Sequence, residues 1–140
     1  MDHRLTTVLC VDRDPDSCEL YAMLLGAAGY EVEISHSPAD AIALLGECRF
    51  AAVVMGYYFS GSDGPELCRQ FRRFDSRTPV IFFSGAATTA ERAAAEAAGA
   101  QAYLIKPNGI DDLVDAIREL TGESASARPR SRDASIATNV

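Results

Sequence analysis

The chain lacks an excess of positive charge: 13 Lys and Arg stand against 20 Asp and Glu, a net charge of −7 over 140 residues. Direct binding of nucleic acid rests on neutralising phosphates with Lys and Arg, so no nucleic acid partner is expected. No apolar run approaches the roughly 20 residues needed to span a bilayer, so no membrane partner is expected either. Residues 1–7 show no charged segment leading into an apolar one, which argues against export and for a cytoplasmic location. Metal-ligand spacing is missing as well. Cys10, Cys18, Cys48 and Cys68 form no CxxC pair, and His3 and His36 complete no ligand set. The cysteines read as reduced thiols behaving as small hydrophobes, and neither a metal nor a cofactor is expected.

What is present suits one globular domain. Its apolar content of 48% and charged content of 24% are those of a packed protein, and the length allows one ordinary core rather than two. Apolar runs alternate with helical patterns. Leu5–Val11 reads as a strand, and Asp14 with Pro15 starts a helix that continues through Leu20, Met23, Leu24 and Ala27 to a stop at Gly29. Tyr30–Ser35 alternates as an outer strand, Ser37 and Pro38 open a helix through Ala41, Ile42 and Leu45, and Phe50–Met55 is apolar throughout, as in a central strand. After a loop rich in Gly, Ser and Tyr, Leu67, Phe71 and Phe74 mark a third helix. Pro79–Phe83, an alanine-rich helix over 90–98, Ala102–Ile105 and an amphipathic stripe from Ile110 to Leu120 follow. Strands alternating with helices in this way predict right-handed βαβ crossovers and an α/β doubly wound fold with a five-stranded parallel sheet over residues 1–121. From Gly122 the composition turns to Ser, Ala, Arg and Pro, which predicts a disordered tail over 122–140. Its Arg128, Arg130 and Arg132 either face solvent or dock on an acidic partner.

In such a sheet ligands bind beyond the carboxyl ends of the strands. Those ends supply Asp12, Arg13 and Asp14, then Gly56 to Tyr58, then Ser84 and Gly85, and last Lys106 and Pro107. No glycine-rich phosphate loop follows the first strand. Ser84 has neither a histidine partner in these motifs nor a nucleophile-elbow pattern, so hydrolase chemistry has little support and no enzyme is expected.

Taken in order, Val8–Pro15, Val53–Gly64, Pro79–Gly85 and Ala102–Pro107 resemble the four motifs of the response-regulator receiver domain of two-component signalling, over roughly residues 5 to 121. The resemblance implies a CheY-like, flavodoxin-like (βα)5 fold with strand order 2-1-3-4-5. In the family two acids and a phosphoacceptor aspartate hold Mg²⁺, while a Ser or Thr and a Lys bind the phosphoryl oxygens. Asp12, Ser84 and Lys106 carry over. Arg13 stands where the second acid belongs and Gly56 where the nucleophile belongs, a register fixed by Asp63 and Gly64, seven and eight residues on, as in the family.

The resemblance therefore implies a pseudo-receiver, a module for protein–protein interaction that no phosphoryl group switches. Its usual partner surface is the face of the fourth helix, fifth strand and fifth helix, and a homodimer is one open use of it. With no effector domain following, output is expected in trans or through the tail. Two alternatives stay open: a phospho-receiver using a displaced acid, Asp14 or Asp63, both expected to be badly placed relative to Lys106, and a small-anion sensor at Ser84 and Lys106. Arg13 either pairs with Asp12 alongside Lys106, replacing the metal's charge, or faces solvent. Tyr58 either fills the volume left at Gly56 or lies on the surface. Tyr103 corresponds to the family's switch aromatic and is expected in one dominant rotamer, and the Lys106–Pro107 bond is expected to be cis.

Overall fold

The computed structural model describes residues 3–86 and 88–122. Its elements run β1 (His3–Val11), α1 (Pro15–Ala27), β2 (Glu31–Ser35), α2 (Pro38–Glu47), β3 (Arg49–Met55), a small hairpin of β4 (Tyr58–Phe59) and β5 (Ser62–Asp63), α3 (Gly64–Arg72), β6 (Val80–Ser84), α4 (Thr89–Ala98), β7 (Ala102–Ile105) and α5 (Ile110–Thr121). The main sheet is parallel, in the order β2-β1-β3-β6-β7. Counting its own five strands in sequence, this is the expected order 2-1-3-4-5.

Side chains alternate between the two faces of a strand, and here both faces are covered. Leu9, Val11, Val53, Met55 and Phe82 pack with α2, α3 and α4 on one side. Val8, Cys10, Val54, Ile81 and Phe83 pack with α1 and α5 on the other. Each central strand therefore reads as an unbroken apolar run. Side-chain caps set the helix starts: Asp14, Ser37 and Asp63 each accept from a backbone amide of the first turn, and Thr88 with Glu91 forms a reciprocal capping box on α4. Gly99 closes α4 at φ 115°, a left-handed turn that favours glycine. The four cysteines are free thiols.

Three local expectations change. The stripe Leu20, Met23, Leu24, Ala27 is not the buried face of α1, because Leu20 and Met23 are 40% and 65% exposed and the helix buries Ser17, Cys18, Tyr21 and Leu25 instead. Apolar residues lie all round this helix, so periodicity alone does not choose a face. Phe74 leaves the third helical stripe: α3 ends at Arg72, and Phe74 is 53% exposed, edge-on to Phe71. The loop after β3 is a two-stranded hairpin. Gly122 caps α5 in a left-handed turn, and the tail beyond it lies outside the described residues.

Candidate functional site

Asp12 ends β1 and is only 3% exposed. A buried carboxylate has to be paired, and three donors converge on this one. Its Oδ1 accepts the Asp14 amide at 3.0 Å, and its Oδ2 accepts the Tyr21 hydroxyl at 2.7 Å. The Lys106 Nζ lies 3.2 Å from the same Oδ2. Phe83 organises two of these donors, with Tyr21 packed edge-on at 5.9 Å between ring centroids and the Lys106 ammonium 5.7 Å from the ring centre. Burial, and then the Asp12 carboxylate, push the Tyr21 phenol far above its ordinary pKa, so it remains a proton donor at every physiological pH. The Lys106–Pro107 peptide is cis.

Gly56, at the end of β3, donates its amide to the Val11 carbonyl at 2.9 Å. A Cβ built there would meet the Asp12 carboxylate at 3.4 to 3.6 Å, ordinary contact, and the glycine is not in a positive-φ conformation. The position accepts a side chain, and that side chain would face Asp12. Here it has none.

Asp14 overturns the expectation that it sits badly for Lys106: its Oδ2 lies 3.9 Å from Nζ. The turn that brings the Asp14 amide back onto Asp12 also swings this carboxylate over the cleft. Asp14 is nonetheless occupied as the α1 cap, accepting from the Asp16 amide at 3.2 Å and the Ser17 hydroxyl at 2.9 Å. The Ser17 hydrogen bond is the main reason its carboxyl is held below the ordinary value. Asp63 caps α3 through the Glu66 amide at 2.9 Å and does not line the cleft.

Arg13 is exposed at the rim and makes no ion pair among the described residues, so only Lys106 neutralises Asp12. Ser84 is buried and its Oγ accepts the Ala86 amide at 3.0 Å. Tyr58 leaves the volume over Gly56 unfilled. It is 53% exposed and reaches across to α4, where its hydroxyl donates to Glu91 Oε2 at 2.5 Å. That bond pushes the Tyr58 phenol up to about 12. Tyr103 turns towards the β6–α4 turn: its ring stacks on Phe82 at 5.6 Å and 4°, Arg92 lies over it at 5.8 Å, and its hydroxyl donates to the Ala86 carbonyl.

Asp12, Arg13, Asp14, Gly56, Ser84 and Lys106 thus border one open cleft of about 640 Å³. Among the described residues no group of three His, Cys, Asp or Glu is arranged to hold a metal ion. Tyr21 and Glu91 were missed from sequence. Tyr21 did carry a signal, standing between Ser17 and Leu25 at successive i, i+4 steps, but the competing stripe obscured it.

Comparison with known proteins agrees with this geometry. The model of the response regulator receiver domain matches residues 8–118. The transcriptional regulatory protein TrcR of Mycobacterium tuberculosis is 30% identical over 118 residues, 84% of this chain and 46% of that one. The response regulator MprA of Mycobacterium avium is 32% identical over 113 residues, 81% and 50% of the two chains. The chain therefore spans about half the length of these curated relatives. A CheY-like receiver domain protein from Methanospirillum hungatei superposes with a TM-score of 0.78 at 26% identity, covering 84% of this chain and 94% of the other. The receiver domain of a Pseudomonas aeruginosa sensor histidine kinase, with a magnesium ion coordinated in its active-site cleft, shares the fold at TM-score 0.76 and 24% identity, over 83% and 97% of the two chains. No helix among the described residues is long and apolar enough to cross a membrane. With its four motifs gathered at the strand ends, this chain belongs to the response regulator receiver domain family of two-component signalling.

Proposed function

We propose that this receiver domain signals through protein–protein contact without being phosphorylated. The observation that carries the proposal is Gly56: a side chain at this position would face Asp12 across the cleft, and glycine supplies no nucleophile. Magnesium does not fit the residues present. Mg²⁺ demands near-octahedral oxygen coordination, usually with one or two carboxylates. Asp12 is already held by an amide, a phenol and an ammonium, and the neighbouring side chain is a guanidinium.

Contact through α4, β7 and α5, with a protein partner or a second copy in the cytoplasm, suits a domain in which Tyr58 and Tyr103 both tie into the α4 region. A second reading rests on Asp14, the one acid besides Asp12 within 4 Å of Lys106 among the described residues. Its carboxylate caps α1, so phosphorylating it would remove that cap. An anion sensor at Ser84 and Lys106 is opposed by the two carboxylates beside the ammonium.

The test is an amide NMR spectrum with and without Mg²⁺ and a small-molecule phosphodonor. Superimposable spectra are expected. Shifts spreading from the cleft to α4 would overturn the proposal.

A further inference from the structure

We infer that Tyr21 is the positioning residue that closes this cleft to divalent cations, by occupying and orienting the Asp12 carboxylate. The inference rests on the reading of the cleft as phosphorylation-silent and names the residue that keeps it so.

An ionised carboxylate offers about four acceptor sites. Three are spoken for: the Asp14 amide on Oδ1, and Tyr21 with Lys106 on Oδ2. Of the three donors, the amide belongs to the chain turn after β1, and Lys106 belongs to the Lys-Pro motif. Tyr21 alone comes from α1, beneath the floor of the cleft, and does not line it. A water molecule on Oδ2 would leave when a cation arrived. The Tyr21 hydroxyl has no such freedom, because its side chain is wholly buried and its ring is wedged edge-on against Phe83. Tyr21 thus fixes the rotation of the carboxylate and draws on its charge, so a cation meets an Asp12 already turned and neutralised.

The test restores the missing acids and then removes the hydroxyl. Mg²⁺ and Mn²⁺ affinities are measured by calorimetry for R13D/G56D and for R13D/G56D/Y21F. A hydrogen bond to a charged group is strong enough to account for about a tenfold change in affinity. The triple variant is therefore expected to bind about tenfold more tightly than the double. Leu25→Ala in the same double background, a purely structural lesion of α1, is expected to leave the affinity unchanged. Equal or weaker binding in the triple variant overturns the inference.

A second readout needs no variant. In the parent the buried Tyr21 hydroxyl proton is expected as a slowly exchanging proton resonance that 10 mM Mg²⁺ leaves in place, and a shift of that resonance overturns the inference even if Tyr21→Phe does not fold. Phosphorylation of the parent protein would instead refute the function proposed above, so the two failures are distinguishable.

Discussion

Gly56→Asp puts a second carboxylate opposite Asp12, and the structure sets what it costs. Space is not the obstacle, since the new Cβ meets only ordinary contacts at 3.4 to 3.6 Å. Charge is. With the two carboxylates about 5 Å apart and an effective dielectric near 20, their repulsion is about 3 kcal/mol. Lys106, 3.2 Å from Asp12, is already paired there and offsets about a third of this, leaving a penalty of about 2 kcal/mol. Gly56→Asn has the same shape without the charge and is the control. Like-charge repulsion raises the new carboxyl's pKa in the folded state above its unfolded value. The variant's disadvantage is therefore small below about pH 4, where the carboxyl is protonated in both states, and grows as pH rises through the folded value. Urea unfolding in EDTA from pH 4 to 8 reads this directly. The aspartate variant should match the asparagine variant at pH 4 and fall about 2 kcal/mol below it by pH 7.5. Equal stability of the two at pH 7.5 would refute the reasoning, and would mean that the exposed Arg13 swings in to neutralise the pair.

Other perturbations probe separate parts of the account. Asp14→Ala removes the α1 cap and should cost about 1 kcal/mol in denaturant unfolding. Because the Asp14 carboxyl is lowered in the folded protein, its stabilisation is present above the unfolded pKa and lost as pH falls through the folded one, so the variant's acid-side pH dependence should be flatter than the parent's. Glu91→Gln should bring the Tyr58 phenol down from about 12 towards the ordinary tyrosine range, visible as an earlier step in an ultraviolet pH titration that Tyr58→Phe abolishes. Gly109→Ala would press a Cβ to 2.8 Å from the Ile105 backbone and should destabilise by about 1–3 kcal/mol, read as a lower thermal midpoint.

The fold was legible in the sequence because strands buried on both faces write continuous apolar runs, and because Asp14 and Ser37 announce helix starts by chemistry that acts within one turn. The strand ends were legible for the same reason, and Asp12, Gly56, Ser84 and Lys106 do meet at one cleft. What sequence did not disclose is direction. Nothing local tells that Tyr21 rather than Leu20 faces inward on a helix apolar all round, since that choice is made by Asp12 and Phe83 on other elements. Nothing local sends Tyr58 to Glu91 on α4, 33 residues away, rather than over Gly56. Asp14 shows the opposite case: a residue read correctly as a cap whose second contact, with Lys106, comes from bringing β1 and β7 into one sheet.

The central claim, that this receiver domain carries no phosphoryl switch, is tested most directly by intact-mass measurement after incubation with Mg²⁺ and a small-molecule phosphodonor, with Gly56→Asp in parallel. The parent mass is predicted to remain unchanged. A phosphoryl adduct on the parent, mapped to Asp14, Asp63 or any other acid, would contradict it.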